Sequence, residues 1–102
     1  MSSKTKSVLM TTSAALLAAV TKIEISKSNS VLAVGQLKFA GMQITTGAVD
    51  SKEASALKTT FTQKLEQLED LGGAFASITG EPWAKQLMVA LDHHASAHTN
   101  GI

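Results

Sequence analysis

The clearest periodic pattern of apolar and polar residues lies between Asp50 and Gly73. Its apolar side chains recur every three or four residues, so that on a helical wheel they fall within an arc of roughly 80°. The members of this stripe are Ala54, Leu57, Phe61, Leu65 and Leu68. Polar residues occupy the opposite side. The pattern predicts a helix of about six turns whose stripe is covered by the rest of the chain or by another copy.

Local signals at both ends of this segment also favour a helix. Asp50 and Glu53 have the spacing of a capping box. In this motif the aspartate side chain accepts a hydrogen bond from a backbone amide of the first turn, and the glutamate side chain accepts one from the aspartate backbone amide. Gly72 and Gly73 can adopt the positive φ of a left-handed helix stop.

An apolar run from Ser7 to Val20 follows two lysines near the N-terminus and predicts another helix. Its length of about fourteen residues is below the roughly twenty that span a bilayer. Cleavage after Ala19 would place Leu17 where a secretory signal needs a small residue. We therefore expect this run to form a helix of the folded domain. The alternative is that the protein is exported, or lies on a membrane surface, by means of this run.

The segment from Thr21 to Val49 changes character, because it is rich in β-branched residues, glycine and serine. Residues 22–26 alternate between polar and apolar, residues 27–30 are turn formers, and residues 31–34 are a short apolar run. This succession predicts a β-hairpin.

A third strand can follow, in which Leu37 and Phe39 share one face and a bulge at Ala40 and Gly41 resets the register. The competing interpretation is a helix that begins at an N-cap on Ser30. We prefer strands because glycine and β-branched residues disfavour a helix.

The last periodic segment begins at Pro82, where proline loses only an amide that has no partner in the first turn of a helix. Trp83, Leu87 and Leu91 share one side of the predicted helix, and Asn100 with Gly101 supplies a stop. That side can meet the stripe of the preceding helix in an antiparallel pair.

These elements predict one small domain of residues 1–102 in the α+β class. Its order is an N-terminal helix, two or three short antiparallel strands and an antiparallel helix pair. An all-α fold is the alternative.

Composition excludes several kinds of chemistry. The chain has no cysteine and no arginine, and its formal charge is +1. It therefore has no thiolate ligands or disulfides and lacks the commonest side chain for reading nucleic acid. No phosphate-binding glycine motif or nucleophile motif occurs. We expect no enzymatic activity, no cofactor and no nucleic-acid partner, and a membrane partner is disfavoured.

The only metal-binding pattern is the pair His94 and His98, which are one helical turn apart and can direct two imidazoles at one ion. A third ligand would have to come from Asp92, Glu81 or another chain. The alternative is that the histidines end a helix, where a cationic ring interacts favourably with the helix dipole.

The sequence therefore predicts a non-enzymatic structural or protein-interaction subunit that binds itself or another protein. A bacterial or viral assembly is the setting that we expect for it. A cytoplasmic or virion location is favoured over secretion. A histidine-dependent metal-binding protein is an alternative function. The predicted interaction residues are Leu9, Leu16, Leu17, Trp83 and Leu87.

Overall fold

The computed structural model describes residues 12–47 and 49–100, and within residues 97–100 it describes the backbone alone. The described residues form four α-helices, which are α1 (Ser13–Lys22), α2 (Ser30–Thr46), α3 (Ser51–Leu71) and α4 (Pro82–Asn100). Short 3₁₀ turns occupy Lys27–Asn29, Gly73–Phe75 and Ile78–Gly80.

The predicted α+β class is wrong, because residues 12–47 and 49–100 contain no β-strand. The segment predicted to form strands instead holds the end of α1, a 3₁₀ turn and the 17-residue helix α2. The all-α alternative matches the described fold.

Helix α2 forms because its inner face has the spacing of a helix and not of a strand. The buried members of this face are Ser30, Ala33, Val34, Leu37, Ala40, Gly41 and Ile44. At Gly41 an added Cβ would lie 3.4 Å from Leu87 Cδ2, an ordinary van der Waals distance, so this position of α2 faces the Leu87 side chain of α4. Burial of this face outweighs the weak helix propensity of its glycine and β-branched residues.

The predicted helix after Asp50 is confirmed as α3. Every member of its apolar stripe is buried, and Gly72 and Gly73 end the helix with φ of 75° and 60°. The predicted capping box is wrong, because the Asp50 side chain makes no capping hydrogen bond. The Asp50 amide instead donates to the Ser13 hydroxyl oxygen at 2.8 Å, which joins the starts of α1 and α3.

The predicted pair of C-terminal helices is also present. The contact between α3 and α4 is more extensive than the contact between any other two described elements. Lys58 Nζ lies 2.6 Å from Asp92 Oδ1, and the Glu69 carboxylate accepts hydrogen bonds from Thr79 at the other end of the pair. The two contacts show that the helices run in opposite directions.

Helix α1 packs mainly against α3. It begins at an N-cap on Thr12, whose hydroxyl accepts from the Ala15 amide at 3.0 Å. Lys64 Nζ holds its far end by donating to the Ile23 carbonyl at 2.6 Å. The part of the predicted N-terminal helix before Thr12 lies outside the described residues. The resulting fold is flat, with principal extents of 42 × 38 × 19 Å.

Candidate interaction surface

The side of α2 that faces away from the core is apolar and exposed. Its four large side chains are 77% (Val31), 60% (Leu32), 63% (Phe39) and 58% (Met42) exposed. We call this side the outer face of α2 and define it by Val31, Leu32, Gly35, Gln36, Phe39, Met42 and Gln43. A helix that is apolar on all sides is normally buried on all sides. The described residues of the monomer cover only the inner half of α2.

The outer face of α2 carries no charge. Lys38 is the only charged residue of the helix, and its Nζ lies 5.7 Å from the centre of the Trp83 ring, at one edge of the face. The polar side chains of the face are the neutral amides of Gln36 and Gln43. Another apolar helix can therefore pack here without burying an unpaired charge.

An open groove of about 680 Å³ extends the outer face of α2 toward α1. The groove exists because α1 packs mainly on α3 and makes little contact with α2. Its α1 wall includes Leu16, Ala19 and Ile23, and its α2 wall includes Leu32 and Phe39. The apolar surface is thus continuous over parts of two helices.

Gly35 lies within the outer face, in the interior of α2. An added Cβ would have no atom of residues 12–47 or 49–100 within 4 Å, so neither close packing in this part of the chain nor positive φ requires glycine here. Glycine inside a helix costs roughly 0.5–1 kcal/mol relative to alanine. Gly35 therefore lowers the stability of α2 without a compensating contact in the described fold.

The predicted interaction residues are distributed differently from the outer face of α2. Leu16 and Leu87 are buried in the core, while Leu17 and Trp83 are half-buried against it. The Trp83 indole donates to Glu81 Oε1 at 2.7 Å. Leu9 lies outside the described residues.

Sequence analysis missed Val31, Leu32, Phe39 and Met42 as surface residues, because it assigned this segment to strands. A helical wheel of residues 30–46 could have found them, since apolar residues occur on every side of it.

The predicted metal ligands occupy the C-terminal half of α4. The Nε2 atom of His94 lies 3.3 Å from the carbonyl oxygen of Ile44, near the end of α2. A proton on Nε2 makes this a hydrogen bond to a terminal helix carbonyl and leaves Nδ1 as the free ring nitrogen. The ring of His93 meets that of His94 edge to face, at 5.9 Å between centres.

A third metal ligand has no support among the described side chains, in which no three histidine, aspartate or glutamate residues cluster closely enough to hold an ion. Asp92 pairs with Lys58. The side chain of His98 lies outside the description, so a metal site at His94 and His98 stays a prediction.

The sequence matches no protein-family model, and neither a curated protein nor a solved structure matches the chain. Among the described helices, none combines the length and apolar character that crossing a bilayer requires.

Proposed function

We propose that this protein is a non-enzymatic interaction subunit that self-associates through the outer face of α2. The observation that carries the proposal is the exposure of four large apolar side chains along one uncharged helix face. Contiguous apolar surface of this kind marks interaction sites in soluble proteins.

The size of the face supports an interface. With about 180 Å² for each fully exposed side chain of this type, Val31, Leu32, Phe39 and Met42 together expose roughly 450 Å². That value equals the roughly 300–600 Å² of the largest apolar patch on a typical monomer, and such a patch is often functional. A standard interface takes about 800 Å² from each partner. The groove beside α1 and the two glutamines extend the surface beyond these four side chains.

Charge does not oppose another copy of the chain as the partner. The formal net charge is only +1, so two copies repel each other weakly at long range. Because the outer face of α2 has no ionised side chain, two such faces can meet without placing like charges together.

The test is the solution mass of the full chain, measured by light scattering at tens of micromolar. We expect a multiple of 10.6 kDa. Phe39→Gln should shift the mass toward that of the monomer, because it places an amide at the centre of the interface. The matched control is Val89→Gln, which changes an apolar residue that is 69% exposed on α4 and should leave the mass unchanged.

Two results would contradict this proposal. The first is a wild-type chain that stays monomeric throughout the concentration range. The second is an associating chain in which Val89→Gln, and not Phe39→Gln, dissociates the complex, since that would place the interface on α4.

A further inference from the structure

We infer that Val8, Leu9 and Met10 of the same chain dock in the groove between α1 and α2, where they compete with a second copy for the outer face of α2. These three apolar residues are outside the described residues and precede α1 directly along the chain. The docking is independent of the proposed function, whereas the competition rests on the proposed self-association.

The start of α1 directs the preceding chain toward the groove. Thr12 is extended, with φ of −75° and ψ of 159°, and its hydroxyl caps the Ala15 amide, so the helix begins at Ser13. In a hydrophobic staple, the chain before such an N-cap packs against the fourth residue of the helix. In α1 that residue is Leu16, which lines the groove. The position next to the cap is a threonine, so the apolar contact falls to Met10, one residue earlier.

The length of chain before Thr12 is sufficient to enter the groove. The groove residues Leu16 and Ala19 lie about 6 and 10 Å along the axis of α1 from Thr12, at 1.5 Å per residue. Val8 is four residues before Thr12 and can extend about 14 Å from it. A chain that turns back at Thr12 therefore reaches both of these groove residues.

The segment and the groove also match in polarity. No charged residue lines the groove, and residues 7–12 carry no charge. Docking therefore removes apolar side chains from water without burying an ion. An apolar cavity of about 150 Å³ accepts benzene, so a groove of about 680 Å³ has room for several side chains.

A segment of the same chain has an advantage over a second copy, because a short linker gives it an effective concentration of the order of millimolar. The groove includes Val31, Leu32 and Phe39, which also belong to the outer face of α2. The docked segment thus covers part of the proposed interface. Its equilibrium between docked and free states sets the fraction of molecules that can associate.

The first experiment tests docking by disulfide formation between two introduced cysteines, since the chain has none of its own. Leu9→Cys keeps a small apolar side chain on the segment, and Gln43→Cys places a thiol in the groove. The control combines Leu9→Cys with Lys52→Cys, an exposed position near Ser13 but outside the groove. At low micromolar protein, the Gln43 pair should link within the monomer at least roughly tenfold faster than the Lys52 pair.

The second experiment tests the competition by measuring the Kd of self-association. Leu9→Ser should lower this Kd roughly two- to tenfold, because the weakened segment leaves the outer face of α2 free for a larger fraction of the time. The matched control is Val89→Ser, which makes the same kind of change at a residue 69% exposed on α4 and should leave the Kd unchanged.

The results separate the docking from the proposed function. If the Gln43 pair links no faster than the Lys52 pair, the docking is overturned and self-association stands. If Leu9→Ser weakens self-association, the competition is overturned, because the segment then contributes to the interface. If the Gln43 pair links rapidly but neither the wild type nor Leu9→Ser associates, the docking stands and the proposed function is overturned.

Discussion

Replacing Leu37 and Phe39 separately by alanine tests whether residues 30–46 form a helix. In a strand the two side chains would share one face and have similar burial. In helix α2, Leu37 is fully buried on the inner face and Phe39 is 63% exposed on the outer face. The two substitutions should therefore differ strongly in their effect on the free energy of unfolding.

The expected magnitudes follow from burial. Leu→Ala at a buried site removes the transfer free energy of the side chain and leaves a cavity, so Leu37→Ala should cost about 2–5 kcal/mol. That is a large share of the roughly 5–15 kcal/mol that stabilises a domain of this kind. A loss of about 3 kcal/mol would lower the melting temperature by roughly 10–25 °C. Phe39→Ala should cost about 1 kcal/mol or less, because most of its side chain is already in water in the monomer.

The assay is urea unfolding followed by circular dichroism, at a protein concentration low enough that association does not contribute to stability. Equal losses for the two variants would contradict the helical assignment of residues 30–46. A larger loss for Phe39→Ala would contradict the orientation of α2.

Two further predictions test the packing of the other helices. Leu65→Ala should lower the free energy of unfolding by about 2–5 kcal/mol, because Leu65 is buried in the stripe of α3. The control is Gln63→Ala, which changes an exposed residue of the same helix and should stay within about 0.5 kcal/mol. A loss below about 1 kcal/mol for Leu65→Ala would refute the central role of α3. Ser13→Ala should lower the free energy of unfolding in urea by about 1–3 kcal/mol, because it leaves the Asp50 amide without its hydrogen-bond partner. The control is Ser55→Ala, which changes an exposed serine of α3. Equal effects of the two substitutions would mean that the Ser13 hydrogen bond does not stabilise the fold.

The sequence predicts α3 and α4 well because each of them has a strong contrast between an apolar and a polar side. Helix α2 lacks this contrast. Its inner residues, such as Leu37, and its outer residues, such as Phe39, are equally apolar, so the helical period is hidden and local propensity favours strands. The capping box fails for a different reason. The Asp50 amide, which the box would pair with Glu53, bonds to Ser13, and the local spacing of Asp50 and Glu53 contains no information about a residue 37 positions earlier.

Only part of the candidate surface could be predicted from the sequence. Hydrophobicity predicted Leu16 and Leu87 as contacts, but it does not distinguish a side chain that faces the core from one that faces solvent. That distinction requires the rotation of each helix, which tertiary packing sets. The spacing of His94 and His98 likewise contains no information about the Ile44 carbonyl that lies beside the His94 ring.

The most direct test of the proposed interface is the exposure of individual side chains to a soluble paramagnetic probe, followed by NMR as the protein concentration is raised. Self-association through the outer face of α2 predicts that the probe relaxes the signals of Leu32, Phe39 and Met42 less as the protein associates. The relaxation of Val89, which is 69% exposed on α4, should not change. Unchanged exposure of the three α2 side chains in a sample that has associated would contradict the account, because the interface would then lie elsewhere.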